Sequence, residues 1–341
     1  MSWRAQLKGD AIPWLLEPEE PGIRYLALRD LTDCPPDDPE LRSARRRAHR
    51  EGPIATILGQ MQPEGWWAKP GAGYNPKYRS TQWSLILLAQ LGAHVAEDTR
   101  IGTACAYVLD NAFSPGGQLS MSGKAAGTID CLQGNVCWAL HELGCVDPRL
   151  KQAFDWMARS VTGEGVAPAS ERGAALRYFG IKCGPCFACA ANNRQPCAWG
   201  AVKVMLAFGT LSPAERTRQI DQAIKEGSEF LLAGNPAAAN YPTSNGGKPN
   251  RSWWKFGFPV FYVTDILQLV QALANLGYGG EPRLQAAIQL VLDKQDSLGR
   301  WPLEYDYAGK TWVDFGPRKQ PSKWVTLRAL RALKRVSEAR P

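Results

Sequence analysis

No apolar run in this chain is long enough to cross a bilayer. The longest, Trp83 to Ala93, falls well short of the roughly 20 residues that a spanning helix needs. The N-terminus, MSWRAQLKGD, lacks the apolar core of a signal peptide, so a soluble cytoplasmic protein is expected. Strand signals are scarce, and helical patterns dominate. The chain is not short of core material: 45% of its 341 residues are hydrophobic and 21% charged, which excludes disorder as the main state. Acidic residues are outnumbered, 32 against 40 Lys and Arg, for a net charge of +8. The excess sits in Arg42 to Arg50 and in the last 24 residues, both read as solvated helix faces. No recognised nucleic-acid motif accompanies it, so a nucleic-acid partner is not expected.

What the chain has in abundance is tryptophan and a repeat. Thirteen Trp suggest an aromatic-lined interior or a repeated structural use. Six segments each follow a Gly- or Pro-rich loop and run apolar around most of a helix: 22–31, 80–92, 128–144, 196–209, 259–277 and 321–336. Four of them stop at a Gly, the usual left-handed C-terminal stop. Between them lie amphipathic helices at 39–61, 98–112, 147–161, 212–232 and 282–295, with Ser212 and Glu215 as a capping box. Five to six pairs, one buried and one exposed helix in each, are best buried as a ring inside a ring. The predicted fold is therefore all-α, a single α/α toroid over residues 1–341. An open helical solenoid is the alternative, disfavoured because the inner helices are too apolar for a solvated concave face.

The loops carry a second signal. Gln62-Pro-Glu-Gly-Trp66 precedes one inner helix, and Gln295-Asp-Ser-Leu-Gly-Arg-Trp301 precedes the last. These resemble the QW repeat of squalene–hopene cyclases and the related repeat of protein prenyltransferase β subunits. Cys131 with Gly134-Asn135, the cluster Cys183 to Cys197, and Ser322-Lys323-Trp324 with Thr326 to Leu330 are similar to bacterial members of that superfamily whose activity is open. The resemblance implies an α/α toroid with a deep central cavity, and a Gln that caps a helix end beside a stacked Trp. Neither named chemistry transfers with it. The chain has no DxDD cluster to protonate an alkene and no DDxxD motif. In place of the zinc-binding Asp-x-Cys it has adjacent Asp130 and Cys131, and its only histidines are His49, His94 and His141.

Nine cysteines without a signal peptide argue against a disulfide framework. Cys183, Cys186, Cys189 and Cys197 fall within fifteen residues of a Gly-, Pro- and Asn-rich loop, and Cys131 starts the preceding inner helix. Zinc held by four of these five is the expectation. An iron–sulfur cluster is the alternative, although the spacing departs from the ferredoxin run. Cys137 and Cys145 are read as core, and Cys34 and Cys105 as incidental.

The resemblance places the N-terminal ends of the inner helices at the cavity rim. That nominates Tyr25, Trp83, Asn135, Trp199, Lys203, Tyr262, Lys323 and Trp324 as substrate-cavity residues, with Arg24 and Gln82 beside them. Asp265, in the apolar run FPVFYVTDILQLV, is a candidate general acid or base. It is equally readable as a first-turn carboxylate or as the ion-pair partner of Lys203, Lys323 or Arg29. Asp130 is the second catalytic candidate. Residues 238–258 are long and polar enough for a lid. The functional expectation is an enzyme acting on a bulky, largely apolar, isoprenoid-like molecule, zinc-assisted, by hydrolysis, cyclisation or group transfer. The alternative is a non-catalytic lipid- or peptide-binding protein with a structural zinc site.

Overall fold

In the computed structural model, the residues described are 3–164, 167–168, 172–173, 177–178, 183–244 and 246–339. Thirteen α-helices follow one another among them. They are α1 (Ile12–Leu15), α2 (Pro21–Leu31), α3 (Pro39–Arg50), α4 (Gly52–Leu58), α5 (Thr81–Gln90), α6 (Thr99–Ala112), α7 (Asp130–Glu142), α8 (Pro148–Thr162), α9 (Ala198–Phe208), α10 (Arg218–Ala233), α11 (Ile266–Asn275), α12 (Gln285–Asp293) and α13 (Lys323–Glu338). The described strands are two-residue pairings.

All six apolar segments of the sequence become helices, and these form the inner ring. Helix α5 packs on α7, α7 on α9, α9 on α11, α11 on α13, and α13 on α2. The ring closes where Gly92, just past α5, sits against Tyr25 and Leu26 of α2, so close that a Cβ there would lie 2.5 Å from a Leu26 methyl. The outer helices α3, α6, α8, α10 and α12 each pack on the inner helix that precedes them. This is an α/α toroid, and it follows from burial. Inner helix α5 buries nine of its ten residues, which only a position between a core and an outer layer satisfies. Outer helices such as α8 and α10 bury one stripe.

The boundaries show where local chemistry overrides periodicity. The predicted helix 39–61 is two helices, because Glu51 is extended and Gly52 left-handed (φ 70°) ahead of Pro53. The Ser212–Glu215 capping box is present but closes a single 3-10 turn, and Thr217 caps α10 itself. The run from Pro259 does not become helical until Ile266, capped by Asp265. Of the four glycine stops, Gly92, Gly144 and Gly277 are left-handed, whereas Gly209 is not.

The repeat loops behave as the resemblance implied, with one shift of register. The Trp301 amide donates to Thr326 Oγ1 at 2.9 Å and its indole to Val291 O at 2.8 Å. At the first repeat the same two bonds are made by Trp67, to Thr81 Oγ1 and Ile57 O. The repeat tryptophan is thus Trp67 rather than Trp66. Gln295 caps the end of α12 through Leu292 O and accepts the Lys8 amide.

Two positions on the ring carry testable energetics. At Gly134 of α7, a Cβ would lie 2.6 Å from the backbone carbon of Lys203, so α7 and α9 approach backbone to backbone. Gly134→Ala is expected to cost about 1–3 kcal/mol by overpacking, despite the better helix propensity of Ala. Chemical denaturation checks this, and an unchanged midpoint would contradict it. His49 is buried, its Nδ1 2.8 Å from Arg45 O and its Nε2 accepting the His94 amide. The neutral ring fits that environment, and burial holds its pKa below the usual value. A base with a depressed native pKa binds fewer protons than the unfolded chain just below pH 6.5. Stability is therefore expected to fall as pH drops from about 6.5 through the native pKa. His94, shifted downward by burial as well, contributes part of that slope. Unfolding curves of His49→Asn should show a shallower slope, and an identical slope would remove His49 as its source.

Candidate functional site: an axial cavity and a thiol cluster

Because the inner helices alternate with outer ones, they run parallel to one another, and all six C-terminal ends lie on one face. A cavity of about 780 Å³ runs down the axis from that face. Burial gives its direction. Asn135, Lys203, Gln268, Phe258 and Trp324 are buried deep in it, whereas Ser212, Pro213 and Arg335 near the helix C-termini are exposed. Phe258 and Trp324 stack at 4.5 Å at the deep end.

Among the described residues, seven Lys and Arg line this cavity against three Asp and Glu. One reading is simple compensation. Each helix C-terminus carries roughly half a negative charge, and cations there are favourable. That field fades within the last turn, so it accounts for Arg216, Lys334 and Arg335 at the mouth. Arg331, paired with Asp30 in the last turn of α2, lies within that reach as well, whereas Lys203 and Arg328, buried further in, do not. Asp30 is shared by Arg29, at 2.6 Å, and Arg331. Burial pushes the Asp30 carboxyl up, but Arg331 and Arg29 outweigh it and hold it below its ordinary value. Arg331 Nε is buried with no hydrogen-bond partner among the described residues. Burial drives the Arg331 guanidinium down even with Asp30 beside it.

Deeper in, Arg328 contacts Asp265 at 3.3 Å and donates to Gly257 O. Asp265 Oδ1 also accepts the Gln268 amide at 2.8 Å, as the N-cap of α11. Its ion-pair partner is therefore Arg328, not Lys203, Lys323 or Arg29. Lys203 is 1% exposed, and its ammonium donates to Gln268 Oε1. Lys323 turns outward to Glu17 at 2.7 Å.

The predicted site residues thus divide. Asn135, Lys203 and Trp324 line the axial cavity, Asn135 donating to Phe261 O at 3.0 Å. Tyr25, Trp83, Trp199, Tyr262 and Lys323 do not line it. Trp83 and Tyr262 belong to an aromatic cluster with Tyr78, Phe261 and Tyr307 near the N-terminal end of the ring. Tyr25 is buried against Arg29, and Trp199 is half-buried in the first turn of α9. Of the described residues in 238–258, only Phe258 lines the cavity, at its deep end, so those residues do not cover the mouth.

Arg328 and Arg331 were missed because the C-terminal basic stretch reads as a solvated face. Their signal was spacing. Trp324, Leu327, Arg328, Arg331, Lys334 and Arg335 fall on one helical stripe, and that stripe faces the axis.

The cysteines also divide. Cys197 is hydrogen-bonded to Cys189, which raises its pKa, and Cys131 lies near both. Burial, with Asp130 adding, pushes the Cys131 thiol up to about 12. Burial also lifts the Asp130 carboxyl well above its ordinary value, and its Oδ2 has no hydrogen-bond partner among the described residues. Gly200 makes room for Asp130, whose Cβ would lie 3.1 Å from a Cβ there. Cys183 is buried in the core, and Cys186 is exposed, within reach of Glu226. Among the described residues, no three His, Cys, Asp or Glu stand in an arrangement that could hold a metal ion. Cys137 is core, as expected. Cys105 and Cys145, expected to be incidental and core, are hydrogen-bonded to each other, which raises the pKa of Cys105 and lowers that of Cys145.

No described helix is long and apolar enough to cross a membrane. No family model and no curated protein matches the chain. Among solved structures, two forms of the type II terpene cyclase MstE from Scytonema are similar to it. One is in complex with the product merosterolic acid A, at 12% identity, and the other with the substrate geranylgeranyl dihydroxybenzoate, at 13%. Each match covers 87% of this chain and 97% of the cyclase, with a TM-score of 0.31. The toroid described above stands on its own helix contacts, and the chain's structure is distantly similar to type II terpene cyclases.

Proposed function

We propose that the chain is an enzyme whose axial cavity takes a small amphiphilic molecule. An anionic group would lie against Arg331 and the Arg328–Lys203 end of the wall. An apolar, isoprenoid-like body would lie against Trp138, Leu206, Phe258, Trp324 and Leu327. The observation that supports this most is the pairing of a cavity of about 780 Å³ with two buried cations, Lys203 and Arg328, beyond the reach of the helix-end field. Dodecyl phosphate and dodecanol separate the two halves of the reading. The phosphate should raise the melting temperature in proportion to the logarithm of its concentration, and the alcohol should do so far less. Arg331→Gln should weaken phosphate binding about tenfold or more, the worth of a charge-assisted hydrogen bond. Equal effects of the two ligands would remove the anionic half.

Zinc belongs to the same proposal. Three thiols and a carboxylate with an unpartnered oxygen are a donor set that suits zinc chemically, and closing Cys131, Cys189, Cys197 and Asp130 on one ion would require them to draw together. A zinc so enclosed would be structural. Elemental analysis of protein purified without added metal should find about one zinc per chain. Less than about 0.2, with no iron, would refute it, because thiolate sites retain zinc tightly.

One observation favours the non-catalytic reading. Asp265, the sequence's leading catalytic candidate, is occupied as a helix cap and an ion-pair partner. That leaves the amine of Lys203 as the buried reactive group of the cavity.

A further inference from the structure

We infer that Lys203 is a carbonyl-capturing amine, which forms an imine with an aldehyde or ketone borne by a small anionic molecule in the axial cavity. The inference rests on the cavity reading above and names its substrate class. Four observations carry it. Lys203 lines the cavity from the middle of α9, a helix otherwise made of apolar and small residues. It is 1% exposed, so its presence there is costly unless it is paired or neutral. Its hydrogen-bond partner is a neutral amide, Gln268 Oε1, and Gln268 is held in that orientation because its Nε2 donates to Val263 O at 3.3 Å. The carboxylate within its field, Asp265, is bonded instead to Arg328 and to the Gln268 backbone.

A buried ammonium without a carboxylate partner sheds its proton readily. Burial lowers the Lys203 pKa to about 7, Asp265 and Cys131 oppose the shift, and Arg328 reinforces it. A neutral amine is therefore populated at physiological pH, which is what nucleophilic attack on a carbonyl needs. In the reaction, the amine nitrogen bonds the carbonyl carbon, and the C=O π pair moves to oxygen. A proton passes from nitrogen to that oxygen. The carbinolamine oxygen then takes a second proton from solvent and leaves as water, while the nitrogen lone pair closes the C=N bond, and the iminium so formed returns its N–H proton to solvent to give the imine. One water is released, and no oxidant or reductant is required. The anionic group would sit toward Arg331, whose buried Nε has no hydrogen-bond partner among the described residues.

The probe is pyridoxal 5′-phosphate, which joins an aldehyde to a phosphate, followed by borohydride to fix the imine and peptide mass mapping to locate it. Label is expected at Lys203 at least about tenfold faster than at any other lysine. Its rate should rise with a midpoint near pH 7, and pyridoxine 5′-phosphate, which has no aldehyde, should suppress it. Lys203→Arg keeps the charge and should lose that label, and Lys203→Met serves if the arginine disturbs folding. Labelling spread over surface lysines with Lys203 unmodified, or a midpoint near that of an ordinary lysine, would overturn the assignment. Pyridoxine 5′-phosphate raising the melting temperature while Lys203 stays unmodified would overturn this inference and leave the cavity reading intact. Glyoxal-type neutral aldehydes labelling Lys203 with no phosphate binding would sustain the amine and overturn the anionic reading.

Discussion

Asp265→Asn is expected to destabilise the fold by about 3–5 kcal/mol. Asn is the same size and keeps a side-chain oxygen to cap α11 through the Gln268 amide. What it removes is the negative charge facing Arg328, and both partners are buried, at 3% and 6% exposure. Breaking one side of such a pair leaves an uncompensated charge in a low dielectric, which costs far more than the pair contributes. The double variant Asp265→Asn with Arg328→Met should therefore recover much of the loss. Urea unfolding of the two single variants and the double variant measures this. A single Asp265→Asn within about 0.5 kcal/mol of the parent would contradict the ion-pair assignment and return Asp265 to the catalytic candidates.

The second large effect concerns the repeat loops. Trp301→Ala and Trp67→Ala should each cost about 3–5 kcal/mol, the usual loss for a fully buried aromatic. Both residues are 0% exposed, and both spend the indole N–H on a carbonyl ten residues upstream. Truncation would leave that carbonyl without its donor as well as a cavity. Trp66→Ala should cost much less, because Trp66 is only half-buried. If Trp66→Ala proved as costly as Trp67→Ala, the register of the repeat assigned here would be wrong.

The inner ring was legible in the sequence because its helices are apolar on nearly every side and stop at glycines, a pattern few other architectures bury. The breaks were harder. Residues 39–61 keep an apolar stripe across the Glu51–Pro53 break, and Pro259 to Thr264 is apolar enough to pass for the start of α11. The Asp265 cap signal was present, and the sequence left it even between a first-turn carboxylate and a catalytic group. The site was less legible than the fold for a physical reason. Which end of a ring of parallel helices opens depends on loops packed over the other end, and periodicity says nothing about that. Charge misled in the same way. Arg328 and Arg331 look like a solvated face until the ring is closed, and only then is their stripe seen to face inward.

The central claim is that the axial cavity binds an anionic amphiphile at the cations of its wall. A crystal structure of the chain soaked with dodecyl phosphate tests it most directly. The account predicts phosphate density within hydrogen-bonding distance of the Arg331 guanidinium, with the alkyl chain along Trp138, Phe258 and Trp324. Density for the phosphate at the N-terminal end of the ring, beside Tyr78 and Tyr262, with the axial cavity empty, would contradict it.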